Sequence, residues 1–434
     1  MKRALFVAGL ISLLLASTLN AQTIRRSGRH TFIEIEKEFD VGSGGKLSVT
    51  GARADVVVTG WAGQKVAVHA VVRMKRASRR EAKEMASRAE SVCVQHGNVV
   101  AIEGDRLSDR DVNSRFEVRV PREFNVDVNT VGGNVSLTDL TGEQRVRVSG
   151  GDVDLRQIRG AAEISTAGGD IAAEDLSGRV RLKTSGGDVR VERTDATLTV
   201  RTSGGDIDLR RLKGPVSAVT SGGDILAVES KDDLRLKTAG GNIRVEDAEA
   251  QVEAFTSGGD ISVIRCVGRV LAKTSGGDIR LRRVGEARVS TSGGDVVAET
   301  VTGGVQASTS GGDMRFTEID GFAEAKTSGG DITVELTPSD YRVDHHVRLE
   351  TSGGDIQLSI PKDLPATVHA VIETRSSSID DYELRSDFPL DISKHGAVGR
   401  RARGEIRGVG DINGGGDRIE LRTVEGNITI RSLP

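Results

Sequence analysis

Aspartate recurs along this chain at a fixed interval, each time directly after a glycine pair and directly before an apolar residue. Asp152, Asp170, Asp188, Asp206, Asp224, Asp260, Asp278, Asp295, Asp313, Asp331 and Asp355 fill this slot, and Asn134 and Asn242 fill it in two further copies. Stacked in register, neighbouring carboxylates would lie about 5 Å apart. Two unit charges at that distance repel by roughly 1 kcal/mol in water, and by several times more where the effective dielectric falls to about 20. A turn hydrogen bond from backbone N–H to Asp returns about 1 kcal/mol. The balance is close, and a bound cation could relieve the remainder. Calcium-binding nonapeptide solenoids, however, set Asp two places ahead of the apolar residue and after a third glycine. Here Asp adjoins the apolar residue and that glycine is missing. Structural corner acids are therefore the expectation, and a calcium ladder is the alternative for the same aspartates.

A second cluster lies in the one long interval, which holds Tyr341, Asp344, His345 and His346. Imidazole and carboxylate can together hold a transition metal. Adjacent side chains on an extended strand nevertheless point to opposite faces. A surface loop is expected, with Asp344, His345 and His346 as the metal alternative. No catalytic and no cofactor-binding residue is assigned. Paired acids recur on every copy, so no pair stands out, and Gly-Gly-Asp between strands opens no helix to make a nucleotide loop. Arg181, Lys183, Arg201, Arg235, Lys237 and Lys273 read as a solvated face that balances the acids.

The spacing of the glycine pairs dictates the elements that carry these residues. The pairs begin at Gly132, Gly150, Gly168, Gly186, Gly204, Gly222, Gly240, Gly258, Gly276, Gly293, Gly311, Gly329 and Gly353. Ten of the 12 spacings are 18 residues, one is 17 and one is 24, which predicts a stacked parallel β-helix, or β-solenoid. In the repeat Ser203–Thr220, a glycine corner precedes Ile207 and Leu209, which alternate with Asp208 and Arg210 as in a strand with one buried face. Leu212 adds an apolar plug before a second corner at Gly214-Pro215, after which Val216 and Ala218 alternate again. Five inward side chains contribute roughly 8 to 15 kcal/mol, whereas fixing one repeat's backbone costs roughly 18 to 36 kcal/mol. A lone repeat should not fold, and stacking must supply the difference. At roughly 4.8 Å per rung the repeats would build a section of about 58 Å. A right-handed coil is preferred, as the usual hand of parallel crossovers.

The ends depart from the period. Residues 1–21 read as a secretory signal peptide, with Lys2 and Arg3 before the apolar run Ala4 to Ala16 and a cut expected after Ala21. That run is too short to span a bilayer comfortably, and no later segment is apolar enough to do so. Residues 22–130 read as a β-rich capping region with alternating runs at Ala54 to Val58, Lys65 to Met74, Asn98 to Glu103 and Arg115 to Val120. A capping box at Ser78 and Glu81 opens one short helix, with Ala82, Met85, Ala86 and Ala89 on one face. Residues 131–355 form the repeat section. Residues 356–434 hold degenerate final rungs and a cap, in which Gly414-Gly415-Gly416-Asp417 and Gly426-Asn427 echo the motif. Such ends shield open sheet edges.

Composition narrows the function. Sixty basic against 63 acidic residues leave a net charge of −3, without the basic surplus of a nucleic-acid binder. Nine Phe, two Tyr and the single Trp61 are too few to build a cleft of stacked rings for sugars. Cys93 and Cys266 are the only cysteines, and stacking would hold them beyond disulfide reach, so both are expected as buried, unpaired hydrophobes.

The segments Phe39-Asp40-Val41 and Gly44-Gly45-Lys46-Leu47-Ser48-Val49, the serial Thr-Ser-Gly-Gly-Asp corners and the closing run Arg422 to Ile430 resemble the bacterial putative-adhesin family, a domain of unknown function. The resemblance runs from about residue 33 to the end. It implies a β-solenoid in the bacterial cell envelope and brings no catalytic residues. The expectation is a monomeric, exported, non-enzymatic binding or scaffold protein, in the periplasm or at the cell surface. It would have no cofactor and no nucleic-acid partner, and would meet an envelope polymer, surface or protein through repeated contacts. The alternative is an envelope sensor or scavenger that binds cations or cationic peptides along the acid ladder. A carbohydrate-active β-helix enzyme is the minor alternative.

Overall fold

A computed structural model of the protein describes residues 21–107, 112–374, 379–396 and 404–434. Residues 1–20 of the expected signal peptide lie outside the described residues. The chain is an all-β solenoid with one α-helix among the described residues, and it divides into two compact units between Val148 and Ser149.

In the first unit, Ala21–Ser27, His30–Asp40, Lys65–Lys75 and Val112–Pro121 pair antiparallel in succession. The long strand Lys46–Trp61 is the hub. Its first half pairs in parallel with Val99–Glu103 and Asn125–Gly132, and its second half with Val112–Pro121 and Val135–Val148. The break between the halves is Gly51, whose φ of 68° is open to glycine at little cost. The helix Arg79–Glu90 starts as its sequence dictates. Ser78 Oγ accepts the Glu81 N–H while the Glu81 carboxylate accepts the Ser78 N–H, and Ala82, Met85, Ala86 and Ala89 are its buried residues. Gln22 Nε2 donates to Ala86 O at 2.7 Å, tying the helix to the first strand.

In the second unit the rungs stack in parallel at the repeat interval. Ile207 pairs with Ile225, Ile225 with Ile243, Ile243 with Ile261 and Ile261 with Ile279. Ile207, Leu209, Leu212, Val216 and Ala218 are all at most 4% exposed, so the inward set is the one alternation dictates. The irregular intervals fall mainly in turns, although the long rung also drops one residue between Val334 and Leu336, where its register against Phe316 and Ile319 shifts. The missing residue is lost between Val284 and Ala287, and the extra ones lie between Leu336 and Val347.

Three devices hold each rung. First, a Cβ on the second glycine of each pair would meet the carbonyl oxygen of the rung below at about 2.0 to 2.1 Å, as Gly205 would meet Gly187 O. Only glycine allows that approach. Second, the threonine before each corner is buried and bonds twice. Thr220 Oγ1 donates to Gly205 O at 2.9 Å and accepts the Gly223 N–H at 3.3 Å. Third, a residue in the left-handed region precedes the plug on ten rungs, as Arg211 does with φ 56° before Leu212. It sets two outward residues side by side and returns the plug to the core, giving the second corner its shape.

The C-terminal strands close the stack from an unexpected distance in sequence. Ile428–Leu433 pairs in parallel with Ile356–Pro361, and Asp417–Val424 with Val347–Glu350. Gly426-Asn427 is a true rung corner, since a Cβ on Gly426 would meet Gly354 O at 2.0 Å. Gly414-Gly415-Gly416-Asp417 is not a rung corner. It forms the turn that carries the chain past the end of Ala366–Thr374, from that strand's antiparallel neighbour Gly404–Ile412 to its parallel neighbour Asp417–Val424, with φ values of 92° and 79° at Gly414 and Gly415. A glycine run serves a loop around a strand end as well as a rung corner.

Candidate functional site

The corner acids form a continuous hydrogen-bonded ladder in the second unit. The Asp170 N–H donates to Asp152 Oδ1 at 2.9 Å, and the pattern repeats through Asp188, Asp206, Asp224, Asn242, Asp260, Asp278, Asp295, Asp313, Asp331 and Asp355. Asp355 in turn accepts the Asn427 N–H at 2.7 Å, and Asn427 Oδ1 accepts the Glu383 N–H at 2.9 Å. In the first unit, Asp55 Oδ1 accepts the Asn134 N–H at 2.9 Å in the same manner. Each side chain thus caps the rung above it with one oxygen. Asn242 performs that task without a charge, so Asp206→Asn should change stability by no more than about 0.5 kcal/mol. Asp206→Ala, which strands the Asp224 N–H, should cost about 1 kcal/mol or more. Urea unfolding of the two variants checks the difference.

The long rung separates its two histidines. His345 turns inward and is 1% exposed, with its ring 3.7 Å from the Asp417 carboxylate and no hydrogen-bond partner on either ring nitrogen among the described residues. His346 turns the other way and stacks on Phe322 with ring centroids 5.1 Å apart. Its Nδ1 meets Asp344 at 2.9 Å and its Nε2 meets Glu324 at 3.2 Å. Both His346 nitrogens are therefore engaged by carboxylates, and no group of three metal-ligating side chains converges among the described residues. Burial alone would lower the His346 pKa, but the bonds to Asp344 and Glu324 outweigh it and raise it above its ordinary 6.5. A group so raised contributes stability that is complete below 6.5 and is lost as pH rises through its folded value. Melting temperature should therefore fall by about 2 °C between mildly acidic and mildly alkaline buffer, and His346→Gln should remove that dependence.

A concavity of the second unit is one the sequence does not announce. A groove of about 1230 Å³ runs along the second corner of successive rungs, from Gln157 to Thr302, entirely within the second unit. The plugs Leu176, Thr194, Leu212, Ser230, Ala248, Cys266 and Val284 form its floor. One wall is the row of left-handed residues, including Asp175, Arg193, Arg211, Glu229, Asp247, Arg265 and Arg283. The other wall begins at Arg159 and includes Asp195, Lys213, Lys231 and Glu249. Within the walls, Arg193 Nε donates to Asp175 Oδ1 at 2.8 Å and Arg265 Nη2 to Asp247 Oδ2 at 2.7 Å. The Arg265 guanidinium holds the Asp247 carboxyl below its usual range. Cys266 and Cys93 are both free and buried, and desolvation pushes each thiol up to about 11, which leaves neither as a thiolate at neutral pH.

A solved structure described as a putative adhesin from Bacteroides fragilis is similar over 75% of this chain and 96% of its own, at 12% identity and a TM-score of 0.20. A search of curated proteins gives no match. The family described as Toastrack DUF4097 matches residues 45–265 and again residues 228–431. Two overlapping matches that together run through both compact units place almost the whole repeat section and its closing strands in one family, and the chain belongs to the Toastrack DUF4097 family.

Proposed function

We propose that the chain is an exported, non-enzymatic binding or scaffold protein of the cell envelope that works through its repeated outer faces. The observation that carries this reading is the register of the second unit. Equivalent outward positions recur rung after rung, as in Arg201, Val219, Lys237, Phe255 and Lys273 on the second strand of five successive rungs. Rows of side chains about 4.8 Å apart offer many similar contacts to a partner that is itself repetitive. Each contact can be weak, because linked contacts raise the effective concentration of the next.

Two measurements test the reading together. Protease shaving of intact cells, with lysed cells as control, separates an outer-surface protein from one protected inside the envelope. Co-sedimentation of the purified mature chain with washed envelope fractions then asks whether it binds there at all. Retention in the pellet supports the reading, and cleavage on intact cells favours the adhesin-like form of it. A chain that stays cytoplasmic, or that leaves every envelope fraction in the supernatant, would refute it.

A further inference from the structure

Resting on that reading, we infer that the groove along the second corner binds a linear acidic glycan lengthwise, with one sugar in step with each rung. Three observations converge on it.

The first is conformational. Ten rungs of the second unit carry a left-handed residue at this corner, with φ between 54° and 59°, and none of the ten is glycine. A non-glycine residue held there costs about 1 kcal/mol. This chain has 54 glycines and also sets glycine just after the plug on several rungs, as at Gly160, Gly178 and Gly214, yet at the left-handed position ahead of the plug it keeps Gln, Asp, Arg, Glu or Thr. Strain tolerated on rung after rung points to a use for the side chains that it displays.

The second is charge. Asp175 and Asp247 are held by Arg193 and Arg265, and Lys231 lies 3.5 Å from Glu249. Arg211 pairs with Glu192 outside the groove. Arg159, Lys213 and Arg283 have no carboxylate within ion-pair distance among the described residues and stand three to four rungs apart. Three uncommitted cations spaced along the groove, Arg159 and Lys213 on one wall and Arg283 on the other, suit an occupant with carboxylates at intervals. Asp195 and Glu229, also unpaired among the described residues, can accept hydrogen bonds from hydroxyls of the same occupant.

The third is the kind of polymer. The N–H groups of Lys213, Lys231, Glu249, Val267 and Gly285 all donate to carbonyls of the rung below, so the wall offers no open strand edge to an extended peptide. No aromatic ring lines the groove, which removes the stacking platform that single-stranded nucleic acids and neutral sugars use and leaves recognition to charge and hydroxyl hydrogen bonds. A pyranose chain advances by nearly one rung spacing per sugar, and it presents hydroxyls and carboxylates to side chains alone. Nine rungs line the groove, so about eight intervals give a track of roughly 38 Å.

The test uses calorimetric titration of the full mature chain with galacturonate oligomers of four, eight and twelve sugars, and with carboxyl-reduced octamer as the neutral probe. Affinity should rise from four to eight sugars, level off at twelve and drop at least tenfold for the reduced octamer. Arg159→Glu, Lys213→Glu and Arg283→Glu combined should weaken octamer binding at least 30-fold while the melting temperature holds. Arg73→Glu, Lys75→Glu and Lys83→Glu combined, at exposed positions of the first unit, should change it less than threefold. The inference is overturned if the acidic octamer does not bind, if the groove triple variant binds it like the wild type, or if both triple variants lose it equally. Both proteins are also sedimented with envelope fractions. Equal retention of wild type and groove variant rejects the groove but keeps the binding reading, whereas no retention of the wild type rejects the reading itself. Retention that disappears after protease treatment of the fraction assigns the partner to protein and overturns the glycan.

Discussion

Gly205→Ala is expected to destabilise the second unit by about 3 kcal/mol, while Gly204→Ala, one residue earlier, should change stability by less than about 0.5 kcal/mol. The two glycines share one corner and one composition, and they differ in what lies beneath them. A Cβ at Gly205 would sit 2.0 Å from Gly187 O and 2.4 Å from Gly187 C, both backbone atoms. That carbonyl cannot swing aside freely, because it accepts the hydroxyl of Thr202 at 3.0 Å. Relief would have to come from separating two rungs, which breaks the strand pairing on either side. A Cβ at Gly204 meets nothing nearer than Gly186 O at 3.7 Å, ordinary contact, at a φ outside the left-handed region. Denaturant midpoints at constant slope measure the contrast. Equal losses from the two substitutions would mean that backbone flexibility, and not rung approach, sets the demand for glycine.

The same contact explains what could and could not be read from the sequence. The second glycine of the pair is compulsory wherever a rung's carbonyl lies beneath it, so the corners from Gly132 onward are visible as a period. Asp55 caps Asn134 in the first unit, yet its corner reads Arg53-Ala54-Asp55 and passes unnoticed. Ala54 carries a side chain there while Gly133, the residue above it, could not, since its Cβ would meet Ala54 O at 2.3 Å. The helix was legible because its capping box is local chemistry. The inward strand residues were legible because alternation is a direct image of burial. The second corner was not, because the left-handed residue is Asp on one rung, Arg on the next and Glu two later. Its backbone is constant and its side chains are not. The groove is built from that varying position, so no motif marks it. The adjacent histidines show the opposite case, since period-two reasoning separates His345 from His346 and leaves only their partners, Asp417, Asp344 and Glu324, to the structure.

Thr220→Val should cost about 2 to 4 kcal/mol and Thr220→Ser only about 1 kcal/mol, although valine keeps the shape of threonine and serine does not. Thr220 is 2% exposed, and its hydroxyl joins two rungs by donating to Gly205 O and accepting from Gly223 N–H. Valine fills the same volume but leaves a buried carbonyl and a buried N–H without partners, and each such group carries its full desolvation penalty. Serine restores both bonds and loses one methyl group. If packing alone held threonine at this position, the order would reverse and valine would be the milder change. The hydroxyl bonds recur from Thr166 through Thr423, so the result extends beyond one rung. They lock the first corner of each rung onto the rung below. That lock holds the second corner in step as well, and hence the walls of the groove. A chain carrying Thr202→Val and Thr220→Val together should lose stability more steeply than the sum of the single changes, because both substitutions act on the Gly205 corner: Thr220 bonds its carbonyl and Thr202 its N–H. Strict additivity in urea unfolding would show instead that each rung corner stands on its own bonds.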